Sequence, residues 1–183
     1  MSQVFLSIGS NLGDRLALLR EAHRRLAELP GIRVVQTSRV YETEPWEQEL
    51  GASSDQAGWF LNCVVVLETG LPPAALLQYV QTIETALGRA RDVRESPEAQ
   101  RFVPRPLDID ILLYADRVIS ISDDLHIPHL LMHERGFVLR PLADLAPDLE
   151  HPTLYRTIRQ LVEELEDQHQ VRMAQIPPAW FER

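Results

Sequence analysis

Cysteine is nearly missing from the chain, with Cys63 the single one among 183 residues. That count excludes an internal disulfide and a cysteine-built zinc site. Cys63 itself, inside FLNCVVVLE, reads as a small buried apolar residue. Basic charge is scarce too. With 18 lysines and arginines against 27 aspartates and glutamates, the net charge is −9. A nucleic-acid partner is not expected, because phosphate backbones are held by broad basic surfaces. No apolar run reaches the length of a membrane span, and the opening MSQVFLSIGS lacks the basic start and long apolar core of a signal peptide. The expectation is a cytoplasmic protein with no membrane partner. Repeats and low-complexity segments are absent as well.

What is present is a globular balance of 45% hydrophobic and 25% charged residues. The length fits one domain, 1–183, with a substantial core. VFLSI at 4–8 reads as a buried strand, and GSNLGD as turn chemistry leading into a helix from about Asp14 to Leu29. Leu16, Leu19, Ala22, Leu26 and Leu29 form the apolar stripe of that helix, and Pro30 and Gly31 stop it. IRVVQTSRVYET and FLNCVVVLET read as strands, separated by the long polar loop EPWEQELGASSDQAGW. LPPAALLQYVQTIETALGR is a helix with an apolar stripe at Leu76, Leu77, Val80, Ile83 and Leu87, and Gly88 is its stop. After a second polar loop, DVRESPEAQ, the strand LDIDILLY follows.

The order strand, helix, strand, strand, helix, strand predicts an α+β fold, a ferredoxin-like βαββαβ core. Its antiparallel sheet would carry both helices on one face. HERGFVLRPLADLAP and TLYRTIRQLVEELEDQHQ add two predicted C-terminal helices, and the residues from about 171 to 183 read as a tail.

The chemistry concentrates in RFVPRPLDIDILLY. In a strand, Asp108 and Asp110 share one face, about 7 Å apart along the backbone, while Leu107, Ile109 and Ile111 share the other. Carboxylates that close raise each other's pKa unless a positive charge sits between them. Mg²⁺ suits that place, being a hard cation that takes carboxylate oxygens and bridges to phosphates. The alternative is an edge strand with its acids in water, paired to arginines. Arg89, Arg91, Arg94, Arg101 and Arg105 cluster just before the pair, which suits a compact anionic ligand and phosphoryl chemistry. Arg94 reads as loop solvation, and a helix-dipole contact is an alternative for Arg89.

His126, His129 and His133 raise a zinc site, disfavoured without cysteine partners and with leucines interleaved. His129 reads instead as a hydrogen-bond donor to phosphate or as a surface histidine. SIGSNLGDRL lacks the lysine and spacing of a phosphate loop, so its glycines read as a tight turn with Asp14 near the helix start. Trp46, Trp59, Phe60, Phe102 and Phe137 lie in or beside the loops. They are core residues or, with Asn62, the walls of a pocket for a flat heterocycle.

Taken in order, IGSNLGDR, YETEP, DQAGWFLN, IETALGR, RFVPRPLDIDIL and IPHLLMHERGFVL resemble the 6-hydroxymethyl-7,8-dihydropterin pyrophosphokinases of folate synthesis over most of the chain. The resemblance implies transfer of pyrophosphate from ATP to the pterin hydroxymethyl group, release of AMP, and two Mg²⁺ ions held by Asp108 and Asp110. Asp108 would lie nearest the attacking hydroxyl. Arg89, Arg101 and Arg105 would act on the phosphates in catalysis. Gln81, Glu84, Arg91, Ile111 and His129 would face ATP. Thr43, Trp46, Phe60, Asn62, Phe102, Arg135 and Phe137 would form the pterin pocket. Val103 stands where the motif usually has glycine, Phe102 where tryptophan occurs, and Leu130 where tyrosine or proline occurs. The segment between Arg91 and Arg101 is longer than in compact members. A monomer is expected. Competing readings are a magnesium-dependent phosphohydrolase and a non-catalytic ferredoxin-like binding module, the RNA-binding version of which lacks its basic, aromatic sheet face.

Overall fold

The computed structural model describes residues 1–45, 58–89, 106–122 and 125–182. Among them the chain forms β1 (Ser2–Ser10), α1 (Arg15–Glu28), β2 (Ile32–Thr37), β3 (Tyr41–Thr43), β4 (Phe60–Thr69) and α2 (Pro73–Ala86). Then come β5 (Asp108–Tyr114), β6 (Ile119–Ser122), β7 (Leu125–Ile127), α3 (Gly136–Leu145), α4 (Ile158–Glu163) and β8 (Val171–Met173). A 3-10 turn at Met132–Glu134 precedes α3. The main sheet runs β5-β1-β4-β3-β8, with β2 beside β3 along the same edge of β4, and each pairing is antiparallel. β6 and β7 make a separate hairpin that the sequence reading lacked.

Alternation along the strands sorts the core into two layers. Val4, Leu6, Ile8, Cys63, Val65 and Leu67 meet Leu19, Ala22 and Leu26 of α1 and Leu76, Val80 and Ile83 of α2. Phe5, Val64 and Val66 meet Val138, Leu139 and Leu142 of α3 and Ile158 and Leu161 of α4 on the opposite face. The ferredoxin-like arrangement is thus present, with α1 and α2 on one face and the C-terminal helices on the other. Covered on both sides, β4 needs a continuous apolar run rather than an alternating one. Each fully buried Val or Leu of that run contributes about 1.5–3 kcal/mol.

Several boundaries differ from the sequence reading. The expected strand over 32–43 breaks at Ser38, whose hydroxyl accepts from Val64 N–H at 2.8 Å and whose own N–H donates to Val64 O at 2.9 Å. β1 runs through Gly9 and Ser10 into what was read as a turn; Asp14 is the N-cap of α1, its Oδ1 accepting from Ala17 N–H at 3.0 Å. The last predicted helix is short. A capping box of Thr157 and Gln160 opens α4, which ends at Glu163. The segment read as a tail is packed. β8 pairs with β3, and Trp180, 1% exposed, donates its indole N–H to Ser38 O at 3.0 Å. The gap between β2 and β3 leaves the Ser38 carbonyl for the indole to satisfy.

Candidate functional site

Directly opposed residues of antiparallel strands share a face. Asp108 lies opposite Gly9 and Asp110 opposite Ser7. Gly9 lies opposite Asn62, Asn62 opposite Tyr41, and Phe60 opposite Thr43. The register therefore gathers Asp108, Asp110, Ser7, Gly9, Asn62, Phe60 and Thr43 on one face at one end of the sheet. It is the face that α3 covers farther along. Ile109 and Ile111 point the other way, into the layer under α1 and α2. Two acids are tolerated here because β5 is the outer strand of the main sheet and their side chains stay 31% and 35% exposed.

Asn62 is almost fully buried, and its amide Nδ2 donates to Thr43 Oγ1 at 2.6 Å. Its neighbour explains Gly9. A Cβ at Gly9 would lie 2.5 Å from Asn62 Oδ1 and 3.8 Å from Phe60 Cδ1, so the amide can cross β1 only where no side chain stands. The sequence reading spent this glycine on a turn. Its signal was a lone glycine in an apolar strand pattern, which marks a close approach.

Around the outer edge of β5, Glu84 reaches over from α2. Only 1% exposed, its Oε1 accepts from Ile109 N–H at 2.8 Å and from Arg89. Arg89 Nη1 also donates to Asp108 Oδ1 at 2.6 Å. Burial opposes the guanidinium charge, but the carboxylates of Asp108, Glu84 and Asp110 outweigh it, and the pKa of Arg89 is raised. Arg89 is thus seated between two acids from different elements. Gln81, one turn before Glu84, borders a shallow groove with Gln78, Thr82, Thr85 and Ala86. Ile111 has its side chain in the core. Since Ile109 N–H turns outward, period-two alternation turns the backbone of Ile111 outward as well.

His129 is fixed by its backbone, N–H to Leu112 O at 2.9 Å, and its Nδ1 accepts from Leu131 N–H at 3.3 Å. A neutral imidazole accepting there carries its proton on Nε2, which stands 3.9 Å from Asp110 Oδ2. Phe137 packs on the sheet face that holds Asn62, and the Arg135 guanidinium lies 5.6 Å from its ring centroid. Trp59 is buried, with Arg172 over its ring at 4.6 Å and Arg15 donating to its carbonyl at 2.7 Å. Trp46, Arg91, Arg101, Phe102 and Arg105 lie outside the described residues, as do Arg94 and Val103.

His126 contacts Ser120, His133 contacts Glu134 and the His151 ring, and His129 faces Asp110, so the three point to different neighbours. Among the described residues no group of three or more His, Cys, Asp or Glu is arranged to hold a metal. The Asp108 and Asp110 pair, each about a third exposed, has the donor set of Mg²⁺, which takes one or two carboxylates and fills its other positions with water and phosphate oxygens. The residues fit that ion. A closed zinc site needs four protein ligands.

Residues 5–147 match the family model described as 7,8-dihydro-6-hydroxymethylpterin-pyrophosphokinase (HPPK). A 2-amino-4-hydroxy-6-hydroxymethyldihydropteridine pyrophosphokinase of Methylorubrum extorquens is 44% identical over 149 residues, covering 81% of this chain and 85% of the relative. One from Porphyromonas gingivalis is 43% identical, covering 83% of this chain and 95% of the relative. The folic acid synthesis protein fol1 of Schizosaccharomyces pombe is 40% identical over 90% of this chain, which spans only 20% of that longer relative. Among solved structures, Plasmodium falciparum HPPK-DHPS aligns with a TM-score of 0.67 at 19% identity, over 89% of this chain and 42% of that one. That likeness is one of fold.

Proposed function

Given that the chain belongs to the 7,8-dihydro-6-hydroxymethylpterin-pyrophosphokinase family and is a pyrophosphokinase of folate biosynthesis with ATP as co-substrate, we propose that the sheet face bearing Asp108, Asp110 and Asn62 is its active site. The observation that carries this reading is the register, which puts the acid pair and the buried amide on one face.

Asn62, with Thr43 fixing its amide, reads the edge of the pterin, and Phe60 and Phe137 flank the ring. The backbone near Trp46, together with Phe102 and Arg135, completes that pocket. Asp108 and Asp110 would hold two Mg²⁺ ions. Bound there, the ions would neutralise charge on the polyphosphate oxygens. Asp108 lies nearest the pterin hydroxymethyl group. The hydroxyl oxygen attacks the β-phosphorus of ATP, the bond from that phosphorus to the α-phosphate oxygen breaks, and AMP leaves with the electron pair. A carboxylate oxygen of Asp108 accepts the hydroxyl proton. Arg89, released from its acids, joins Arg91, Arg101 and Arg105 around the phosphates. His129 donates Nε2–H to a phosphate oxygen. Gln81, Glu84 and the backbone of Ile111 border the nucleotide. Alignment and charge neutralisation supply most of the acceleration.

We place the whole of 1–183 in one catalytic domain that acts as a monomer in the cytoplasm. Mass spectrometry after incubation with ATP, Mg²⁺ and the reduced hydroxymethylpterin tests the reading. AMP and the pterin diphosphate are the expected products. Free phosphate made without pterin would replace it with a phosphohydrolase.

A further inference from the structure

Helix α3 starts without a cap of its own. Its N-cap residue, Arg135, makes no side-chain capping bond. The N–H of Gly136 donates instead to Asp167 Oδ2 at 2.9 Å, from a carboxylate 31 residues downstream. Asp167 is 3% exposed in its side chain. Its other oxygen accepts from His169 N–H at 3.0 Å and pairs with His169 Nδ1 at 2.6 Å. The contact is close on the backbone side as well. A Cβ on Gly136 would lie 3.2 Å from Asp167 Oδ2, 3.2 Å from Val171 Cγ2 and 3.3 Å from Leu165 Cδ2.

The same stretch grips a second wall. Glu44 N–H donates to Gln170 O at 3.0 Å, Gln170 N–H donates back to Glu44 Oε2 at 3.2 Å, and Val171 pairs with Thr43 across β3 and β8. Thr43 in turn holds the Asn62 amide. Residues 165–171 therefore join the helix start that carries Arg135 and Phe137 to the strand that orients Asn62.

We propose that Asp167, held by His169, is a positioning residue for pterin recognition. It fixes the first turn of α3, and with it Phe137, at a set distance from the Thr43 and Asn62 wall. A carboxylate is needed because both of its oxygens accept, one from the helix and one from His169; an amide would turn a donor toward one of them. The metal and nucleotide side of the site, on β5 and α2, shares none of these contacts. The proposal rests on the pterin-pocket reading given above.

The test compares wild type with Asp167→Ala, Asp167→Asn and His169→Gln in two calorimetric titrations. One uses a non-hydrolysable ATP analogue with Mg²⁺, and the other uses 6-hydroxymethylpterin added to that loaded protein. Steady-state KM for each substrate is measured alongside. Asp167→Ala is expected to weaken pterin binding and raise pterin KM about tenfold, the factor that a lost helix cap corresponds to. Nucleotide affinity should stay within about twofold. Asp167→Asn should fall between the two. Should Asp167→Ala fail to fold, His169→Gln keeps the bond to Gly136 while loosening the carboxylate, and it should still raise pterin KM selectively. Unchanged pterin KM in folded variants, or equal losses for both ligands, would overturn the positioning role and leave the pocket reading intact. Failure of the wild-type protein to bind the pterin at all would overturn the pocket reading itself.

Discussion

Asn62 and Gly9 face each other across β1 and β4 with no slack between them. Gly9→Ala puts a methyl 2.5 Å from Asn62 Oδ1, so the amide must swing off Thr43 or the strands must part. Overpacking of this kind costs about 1–3 kcal/mol. Pterin KM should rise by an order of magnitude or more while the far-ultraviolet spectrum stays native. Pterin KM at the wild-type value would mean that Asn62 does not read the substrate. Asp110→Ala should behave differently. Its carboxylate is about a third exposed, so the melting temperature should barely change, whereas kcat should fall by a factor on the order of 10²–10³ or more. Single-turnover rates and thermal melts on the same preparation separate the two effects. The acid pair was legible in the sequence because period two puts Asp108 and Asp110 on one face of an apolar strand. Gly9 was legible only in part, since a glycine in an apolar strand pattern marks a close approach, but the register alone shows that Asn62 lies across from it.

At the level of elements, the end of α2 and the edge of β5 are joined through Glu84 and Arg89. Glu84, which the family resemblance places beside the nucleotide, has its carboxylate bonded to Ile109 N–H and Arg89. A helical stripe tells which side of α2 is apolar, but not that a glutamate at the end of that stripe reaches a strand edge 25 residues away. Arg89→Ala should therefore lower stability by about 1–3 kcal/mol as well as activity, because it takes a partner from a buried carboxylate. Denaturant melts check this, and a loss of activity with unchanged stability would show that the Glu84 contact carries no weight. The C-terminal segment, read from the sequence as a tail, is the other such element. Trp180 fills the gap where β2 and β3 part at Ser38, with Arg20 donating to its carbonyl at 2.6 Å and Phe181 stacked on His23 at 4.7 Å. Trp180→Ala should cost about 3–5 kcal/mol, as for other fully buried aromatic rings. A melting temperature within a degree or two of wild type would restore the reading of this segment as a loose end.

For the whole molecule, two histidines contribute to the acid limit. Burial lowers the pKa of His23 below 6.5, and burial together with the charge of His133 does the same for His151. Unfolding returns each to its ordinary value, so the unfolded chain binds more protons just below pH 6.5. The stability these groups contribute is complete above that pH and is lost as the pH falls through their folded values. Thermal melts from pH 8 to pH 5 should be flat first and then decline. His151→Asn, which keeps an acceptor for Thr153 N–H, should reduce the decline, and an unaltered profile would remove His151 from this role. The ferredoxin-like order was legible at this scale because element types and their sequence follow from periodicity. The second helical layer and the β6–β7 hairpin were less so, since the face an element covers depends on contacts that sequence spacing does not encode.

In the proposed active site, one sheet face binds metal–nucleotide through Asp108 and Asp110 and pterin through Asn62. The most direct measurement is anomalous diffraction from crystals grown with Mn²⁺ in place of Mg²⁺, a non-hydrolysable ATP analogue and 6-hydroxymethylpterin. Metal peaks are expected within about 2.0–2.3 Å of oxygens of both aspartates, with the pterin edge on the Asn62 amide. Metal and nucleotide bound elsewhere, with both aspartates turned away from any ion, would contradict it.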